Sequence, residues 1–547
     1  MRIASLFIMI AALACAQAPA QSPIPHLDRQ GAWTRLIVDG KPFIVIGGEL
    51  HNSSASSLDY MEPIWPRLGR LNLNTVLATV SWELLEPEEG HYDFTLVDGL
   101  IEGARKNELK LVFLWFGSWK NGVSSYAPAW VKKDVNRFPR VQARDGSRVE
   151  ILSPLSDENQ KSDQRAFTAL MQHIHKMDVT KHTVIMMQIE NEVGTLGQAR
   201  DFSPAAEAAF KQPVPDALCR YFVSHASQLI PEFKQVWVDA GSKPSGTWEE
   251  VFGRGADEAF MAWHMARYIG EVSAAGKAEY PLPMYVNAWL VQSPGQPAGE
   301  YPSGGPVSRV IDIWRAAAPA IDFFSPDIYV SDFKGVCASC TRSGNPLFIP
   351  ESNPDSSSSA GKAFYAIGQH AALGFCPFAI DSFPEDGLLN NAYAALNSLV
   401  PTITAQGGPG KMIGLLQLES ETKTNLELAG YGLEIQYEKD KAANPAYGLV
   451  INVGPDEFLV AGSGISIHFG ARSAGPRHTR ILSIDELWYD HVTHGPSNLS
   501  SSGPSRAKPP TLISGRRLNG DENGGGWHLQ IPPGKPAIQR IKLYRHD

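Results

Sequence analysis

Two glutamates stand directly beside buried-looking apolar segments of this 547-residue chain. Glu192 follows the segment Val184–Asn191, and Glu351 ends the segment Pro346-Leu-Phe-Ile-Pro-Glu351. A carboxylate in such a place is costly as a purely structural feature, because burial without a partner disfavours the charge. Two carboxyl groups that face each other can divide the roles of proton donor and nucleophile, which is how glycosidic bonds are hydrolysed.

Each glutamate also has a structural interpretation. Asn191 and Glu192 could begin a helix, because asparagine is a favourable N-cap and glutamate suits a first helical turn. Glu351 could pair with a neighbouring arginine or lysine. If one fold brings Glu192 and Glu351 to the same cleft, these structural interpretations become less favourable than a catalytic one. The choice between them therefore depends on the secondary-structure elements that carry the two glutamates.

Residues 42 to about 400 repeat a short apolar run, a polar turn and a longer helical stretch. Near-continuous runs of Val, Ile and Phe are typical of strands buried on both faces of a parallel sheet. The eight predicted strands are Phe43–Glu49, Thr75–Trp82, Lys110–Phe116, Thr183–Glu190, Met284–Trp289, Ile321–Tyr329, Pro346–Glu351 and Gly374–Ile380. The predicted helices between them include Tyr60–Leu71, Leu96–Asn107, Asp163–Lys176 and Ala259–Val272. This alternation predicts an α/β fold, a (β/α)8 TIM barrel over residues 21–405, whose fourth and seventh strands end on opposite sides of the mouth.

A doubly wound sheet is the competing α/β fold, and it usually carries a G-x-G-x-x-G turn after its first strand. The chain reads Gly47-Gly-Glu-Leu-His51 at that point, which favours the barrel.

Beyond Lys411 short alternating segments appear between loops rich in Gly, Pro and Ser, with a hairpin turn expected at Asp521–Gly526. The predicted strands there are Leu449–Val453, Phe458–Val460, Ser466–Phe469 and Arg480–Asp490. Residues 406–547 are therefore predicted to form a C-terminal antiparallel β-sandwich.

The N-terminus has the pattern of a processed signal. Arg2 precedes an apolar run, and small residues follow up to Ala20, so residues 1–20 are predicted to be a signal peptide. Export to the periplasm or the extracellular space is expected, with lipoprotein anchoring at Cys15 as an alternative. The apolar run is too short to span a bilayer, so stable membrane insertion is not expected.

Charge and cysteine content exclude several classes of function. The net charge is −9 and no basic stripe is present, so a nucleic-acid partner is not expected. Cys337 and Cys340 form a C-x-x-C motif without a second pair or a nearby histidine, so no metal is assigned. In an oxidising compartment a local disulfide in a loop is expected, with reduced, inert thiols as the alternative. A redox function for this motif lacks a thioredoxin-like context.

Several motifs resemble one family. Gln188-Ile-Glu-Asn-Glu-Val-Gly194 resembles the Q-[VI]-E-N-E-Y-G signature of glycoside hydrolase family 35 β-galactosidases, which belong to the clan A retaining glycosidases. Gly40–His51 resembles the first strand of that family. Leu73–Gly90 is similar to its segment with the pattern V-P-W-x-x-H-E-P-x-x-G, and His91–Phe94 continues the similarity. The resemblance runs from about residue 40 to 200.

The resemblance implies roles for five residues. Glu192 would be the acid/base and Glu351 the nucleophile of a double displacement. Asn191 would bond the sugar 2-hydroxyl, and Glu190 would shape the pocket. Tyr329 corresponds to the tyrosine that holds the nucleophile, or is an ordinary half-buried strand residue.

The chain departs from the family at its third strand, which ends G-P-Y-I-C-A-E-W-E in the family and includes a glutamate that contacts galactose. Here the strand ends Trp115–Gly122, and Leu85 stands where the family has a histidine. Lys120 and Asn121 could donate hydrogen bonds to hydroxyls or to a sugar carboxylate, or could be solvated loop residues. The resemblance therefore predicts the reaction mechanism of this chain better than it predicts a preference for galactose.

Aromatic residues at strand ends could stack on a sugar, although tryptophan is also common in barrel cores. Trp119 and Trp289 are the predicted sugar platforms. His51 could reach a hydroxyl, or could have a structural role.

The prediction is a retaining exo-β-glycosidase, with β-galactosidase as the favoured activity and a β-linked oligosaccharide or polysaccharide as substrate. No cofactor and no metal are expected, and an oligomer is possible. The alternatives are a retaining enzyme for another sugar, such as a glucoside or a uronic-acid side chain, and a non-catalytic carbohydrate-binding protein.

Overall fold

The computed structural model of this chain describes residues 23–31, 33–489 and 512–547. The predicted signal peptide, residues 1–20 with Cys15, lies outside the described residues, so export stays a prediction. Within the described part of the chain, no helix is both long enough and apolar enough to cross a membrane.

A parallel barrel forms the first part of the molecule. The strands up to residue 375 are β1 (His26–Gln30), β2 (Trp33–Val38), β3 (Lys41–Phe43), β4 (Val45–Glu49), β5 (Thr75–Ser81), β6 (Lys110–Lys120), β7 (Arg140–Gln142), β8 (Arg148–Leu152), β9 (Val184–Asn191), β10 (Met284–Trp289), β11 (Phe323–Ile328), β12 (Phe348–Ile349), β13 (Glu351–Ser352) and β14 (Gly374–Phe375). The barrel strands pair in parallel in the order β12-β14-β4-β5-β6-β9-β10-β11-β13. The two ends of this order, β12 and β13, are separated by Pro350 alone, so they are two halves of the seventh strand and the barrel closes there. Proline has no N–H to give to the ladder, which explains the break.

Helices connect the barrel strands on the outside. They are α1 (Leu58–Met61), α2 (Ile64–Arg70), α3 (Trp82–Leu85), α4 (Thr95–Lys106), α5 (Ala129–Lys133), α6 (Asp157–Asp178), α7 (Pro204–Phe210), α8 (Asp216–Ser224), α9 (Pro231–Asp239), α10 (Trp248–Phe252), α11 (Ala256–Glu279), α12 (Ile311–Ala317), α13 (Phe333–Cys340), α14 (Ser356–His370) and α15 (Leu388–Gln406). The predicted TIM barrel is confirmed, and each of the eight predicted strands overlaps an observed one. The predicted helix Tyr60–Leu71 is two helices, because Pro63 precedes α2.

The bottom of the barrel is closed by β1, β2 and β3, an antiparallel sheet that the sequence did not reveal. Leu36 and Val38 of β2 pack against Val45, Leu77 and other inward-facing barrel residues. This plug leaves the opposite end, where the strands have their carboxyl termini, as the open mouth.

The C-terminal part consists of two antiparallel sheets. Its strands are β15 (Met412–Leu416), β16 (Lys423–Leu428), β17 (Tyr431–Tyr437), β18 (Tyr447–Gly454), β19 (Glu457–Ser463), β20 (Ile465–Ala471), β21 (His478–Tyr489), β22 (Leu512–Leu518), β23 (His528–Ile531) and β24 (Ala537–His546). One sheet has the order β15-β18-β19-β24-β21-β22 and the other β16-β17-β20-β23, with a shared apolar core. The predicted antiparallel sheets are therefore present. The hairpin predicted at Asp521–Gly526 is wrong, because the strands before and after it belong to different sheets.

The barrel and the C-terminal sheets pack through α14. Gly368 of α14 lies so close to Gly414 of β15 that a Cβ on Gly368 would come within 2.8 Å of the Gly414 Cα. Leu449 and Ile451 of β18 belong to the same apolar core as the barrel helices. The two parts are therefore tightly packed against each other.

The expected disulfide is not formed. Cys337 and Cys340 are free and buried, and they lie on α13 rather than in a loop. Asp332 caps this helix by accepting a bond from the Gly335 amide at 2.9 Å. The two thiols therefore act as small apolar core side chains, and the alternative of reduced, inert thiols holds.

Candidate active site

Four carboxyl groups meet at the barrel mouth. Glu49 ends β4, Glu192 follows β9, Asp327 lies near the end of β11, and Glu351 begins β13. All four are at most 6% exposed. The sequence predicted Glu192 and Glu351. It missed Glu49 and Asp327, although each is also an acidic residue at the end of a buried run, and that signal could have found them.

Backbone conformation aims Glu192 into the mouth. Glu190 and Glu192 both have left-handed φ values, 59° and 45°, which are unfavourable for non-glycine residues and recur at functional sites. The Glu192 amide donates a hydrogen bond to Asn287 Oδ1 at 3.1 Å. No helix begins at this point, since α7 starts only at Pro204. The helix-cap interpretation of Asn191 and Glu192 is therefore wrong.

The pKa of Glu192 is raised to about 7. Burial is the main cause and the nearby charge of Glu351 is the second, while Lys120 and a hydrogen bond with Asp327 oppose them. A carboxyl group with this pKa is about half protonated at neutral pH, whereas an ordinary glutamate is almost fully ionised, and this suits a proton donor.

Glu351 is held by Tyr329, whose hydroxyl donates a hydrogen bond to Glu351 Oε1. Burial and the Glu351 charge raise the pKa of Tyr329, so the phenol keeps its proton. Within the described ranges no arginine or lysine nitrogen lies within 4.0 Å of Glu351, so the ion-pair interpretation is wrong. Glu351 is the register partner of Asp327 on the neighbouring strand.

Asn287 of β10 organises the space between these carboxyl groups. Its amide nitrogen donates to Asn191 Oδ1 at 2.9 Å and to Asp327 Oδ2 at 2.7 Å. Asn191 also accepts from Gln188 at 3.0 Å and donates to Asn121 at 3.0 Å. Asn287 was missed because one asparagine in a buried strand has no distinguishing pattern. Asn191 ends β9, and its bond to a sugar 2-hydroxyl stays a prediction.

Lys120 is the cation of this cluster. It ends β6, is 6% exposed, and its ammonium lies 5.0 Å from the centre of the Phe116 ring. Its charge lowers the pKa of Glu49, Glu192 and Asp327. Lys120 is thus a buried part of the site and not a solvated loop residue. Asn121, beside it, is exposed and bonds Asn191.

The side chains of Glu190 and Trp119 are fully buried, so neither is available to contact a sugar. The Glu190 carboxyl accepts hydrogen bonds from the amides of Ser118 and Trp119 at 3.0 and 2.7 Å, with the side chain fully buried. Burial, followed by the charge of Asp163, raises the pKa of Glu190. Glu190 therefore shapes the site only by fixing the end of β6.

The prediction of Trp119 as a sugar platform is wrong. The side chain is completely buried, its indole N–H donates to the Leu152 carbonyl at 3.0 Å, and its ring lies 4.5 Å from that of Tyr268. The predicted strand ended at Phe116, whereas β6 continues to Lys120 and carries Trp119 into the core.

Trp289 and His51 lie at strand ends near the cluster. Trp289 is partly exposed and is the register partner of Asp327. His51 Nδ1 lies 2.9 Å from the buried carboxylate of Asp381, and the histidine side chain is 46% exposed. Both remain candidates for sugar contact. In the described part of the chain no three His, Cys, Asp or Glu side chains are arranged to hold a metal ion.

This geometry, a parallel barrel with paired carboxyl groups at its mouth, is the arrangement used by barrel glycosidases. Residues 59–252 match the glycoside hydrolase 42 family model, described as beta-galactosidase, and residues 389–530 match a model described as a domain of unknown function, DUF5597. Residues 59–252 are therefore similar to glycoside hydrolases described as beta-galactosidases. Membership of family 35 is not established by these matches.

Two curated proteins are similar to part of this chain. Beta-galactosidase 17 of Arabidopsis thaliana is 30% identical over 173 residues, which are 30% of this chain and 22% of that protein. A beta-galactosidase of Xanthomonas manihotis is 27% identical over 200 residues, 35% of this chain and 30% of that protein. The chain thus spans less than a third of either relative.

Solved structures also match the chain. The beta-galactosidase of Bacillus circulans sp. alkalophilus has a TM-score of 0.45 at 16% identity, with 66% of this chain and 57% of that chain covered. The catalytic domain of beta-amylase from Paenibacillus polymyxa has a TM-score of 0.44 at 13% identity, with 62% and 94% covered.

Proposed function

We propose that this protein is a retaining exo-β-glycosidase that releases terminal non-reducing β-D-galactose, with Glu192 as acid/base and Glu351 as nucleophile. The observation that carries the proposal is the placement of these two buried carboxyl groups on either side of Asp327. Asp327 is close enough to influence the pKa of Glu192, and Glu351 is the neighbour of Asp327 on the adjacent strand. The charge of Glu351 is the second-largest cause that raises the pKa of Glu192, so the two carboxyl groups lie close together, which supports the short separation of retaining enzymes over the longer one of inverting enzymes.

The proposed reaction is a double displacement. Glu351 attacks the anomeric carbon while Glu192 gives its proton to the departing oxygen. A covalent glycosyl-enzyme forms on Glu351, whose negative charge is lost. Glu192 then takes a proton from water, which attacks the anomeric carbon and returns the bonding electron pair to Glu351.

The electrostatics of the pair support this exchange of roles. The charge of Glu351 is the second-largest cause that raises the pKa of Glu192. When Glu351 is esterified by the sugar, that cause disappears and the pKa of Glu192 falls. Glu192 is thus protonated when an acid is needed and ionised when a base is needed.

Charge at the mouth favours a neutral sugar. Lys120 already faces the carboxyl groups of Glu49, Glu192 and Asp327, so a uronic-acid carboxylate would join a cluster that has more acidic than basic groups. Lys120 therefore has a more direct role in tuning these carboxyl groups than in binding an acidic substrate. The proposal of galactose rather than glucose as the substrate sugar rests on the similarity to beta-galactosidases alone.

Nitrophenyl β-glycosides test the proposal. We expect wild type to release nitrophenol from the galactoside, the product to appear first as the β-anomer by NMR, and Glu192→Gln and Glu351→Gln to lose most activity. Turnover of another glycoside alone would refute galactose. An α-anomer as first product would refute retention, and sugar binding without cleavage would favour a carbohydrate-binding protein.

The organisation of the chain is also a proposal. We place the domain boundary at residue 405, which is supported by the end of α15 at Gln406 and the start of β15 at Met412. Export is proposed from residues 1–20. N-terminal sequencing of the protein recovered outside the cytoplasm tests it, with Gln21 as the expected first residue.

A further inference from the structure

One buried carboxyl group at the mouth has no part in the double displacement. Glu49 is 2% exposed, and its carboxyl group lies within hydrogen-bonding distance of that of Glu351. In the described part of the chain no N–H or hydroxyl group donates a hydrogen bond to Glu49 Oε1 or to Glu351 Oε2. Two buried carboxyl groups in contact cannot both be ionised without a large repulsion, so a proton must lie between them.

The surroundings decide which of the two holds the proton. The titratable groups that act on Glu49, or on which it acts, are Glu351, Glu192, Asp327, Lys120, Tyr285, Tyr329 and Cys376. Lys120 is the single cation in this set. Burial, then Glu351 and Glu192, raise the pKa of Glu49, and Lys120 opposes them only in part.

Hydrogen-bond donors are also distributed unequally. Glu351 receives the Tyr329 hydroxyl, which stabilises a negative charge there. Asp327 receives the Asn287 amide at 2.7 Å. Glu49 receives no hydrogen bond from any N–H group or phenol of the described residues. The negative charge therefore belongs on Glu351 and the proton on Glu49.

We propose, on the basis of the glycosidase function above, that Glu49 is a positioning residue that stays protonated and donates a hydrogen bond to Glu351. Tyr329 and Glu49 then hold the nucleophile from both of its oxygens. When the bond between Glu351 and the anomeric carbon breaks in the second displacement, the electron pair returns to Glu351, where the Glu49 hydrogen bond stabilises it. The proton stays on Glu49 throughout, and the proton of the attacking water goes to Glu192.

Two variants of Glu49 separate this role from packing. Glu49→Gln keeps an N–H donor of the same reach but cannot ionise, and Glu49→Leu keeps the volume without a donor. We expect Glu49→Gln to stay within about threefold of wild type, and Glu49→Leu to lose roughly 10- to 100-fold in kcat, the effect of one hydrogen bond to a charged group. KM should not rise in Glu49→Leu, because the slower second displacement lets the glycosyl-enzyme accumulate. Equal damage in both variants, or none in Glu49→Leu, would overturn the proposal.

An infrared measurement tests the proton itself and needs neither turnover nor a folded Glu49→Leu. The difference spectrum of wild type minus Glu49→Gln at pH 7 should contain the carbonyl stretch of a protonated carboxylic acid. A carboxylate band in its place would overturn the proposal. If wild type cleaved no β-glycoside, the proposed function would fail, whereas this band would still decide where the proton resides.

Discussion

Replacing Lys120 by methionine removes a positive charge from the barrel mouth while keeping a long side chain over Phe116. In the intact protein that charge lowers the pKa of Glu192, against the burial and the Glu351 charge that raise it to about 7. Lys120 is the register partner of Asn191, the residue before Glu192. At a separation on the order of 8 Å, a unit charge contributes roughly 2 kcal/mol at an effective dielectric constant near 20, or about 1.5 pKa units. With partial screening by solvent and salt, we expect the pKa of Glu192 to rise by roughly one unit in Lys120→Met.

The sign of the effect on activity follows from the proposed role of Glu192 as acid/base. The first displacement needs the protonated acid, so activity is present below the pKa of Glu192 and is lost as the pH rises through it. Removal of Lys120 should therefore move the alkaline limb of the kcat/KM profile to higher pH. The assay is kcat/KM for a nitrophenyl β-galactoside between about pH 5 and about pH 10, because this parameter reports groups of the free enzyme.

Lys110→Met is the matched control. Lys110 is the first residue of β6, so it lies on the same strand at the opposite end of the barrel, roughly 25 Å away. It bonds Asp39 at 3.0 Å and the His182 carbonyl at 2.8 Å. Its loss should leave the profile unchanged. An unmoved alkaline limb in Lys120→Met, or one moved to lower pH, would refute the electrostatic account of the site.

The other predictions concern the nucleophile and the packing of the two parts. Tyr329→Phe should lower kcat/KM by roughly 10- to 100-fold, because it removes a hydrogen bond to a charged group. Tyr431→Phe, which removes a similar tyrosine–carboxylate bond to Asp456 in the C-terminal sheets, should leave kcat/KM unchanged; equal losses would contradict a specific role for Tyr329. Gly368→Ala should lower the free energy of unfolding by about 1–3 kcal/mol through overpacking, measured by denaturant unfolding. The control is Gly69→Ala, a helical position with open space around the added Cβ, which should raise the free energy of unfolding by about 0.5–1 kcal/mol. If Gly368→Ala also stabilised the protein, the close approach of Gly368 to Gly414 would be refuted.

The barrel was predictable because strands buried on both faces leave near-continuous apolar runs in the sequence. The same signal located Glu192 and Glu351, because a carboxyl group beside such a run is costly to bury as a purely structural feature. Tyr329 was located by resemblance, and its hydrogen bond to Glu351 agrees with the expected position. These features depend on local sequence and on barrel topology, and both are readable without coordinates.

The remaining features depend on conformation or on distant partners. Glu190 was expected in the pocket, but its left-handed backbone breaks the alternation of the strand and turns the carboxyl group towards the end of β6. Trp119 was misplaced because nothing in the sequence marks the extension of β6. Asn287 acts through contacts with residues on other strands that are far away in sequence, so it becomes recognisable only once the barrel is closed.

The measurement that tests the central claim most directly is the identification of the residue that becomes glycosylated. The protein is incubated with 2-deoxy-2-fluoro-β-D-galactosyl fluoride, which slows the second displacement, and the labelled peptide is sequenced by mass spectrometry. We predict a single fluorogalactosyl group on Glu351 and none in Glu351→Gln. A label on Glu49, Glu192 or Asp327, or turnover of a β-galactoside without any trapped intermediate, would contradict the account.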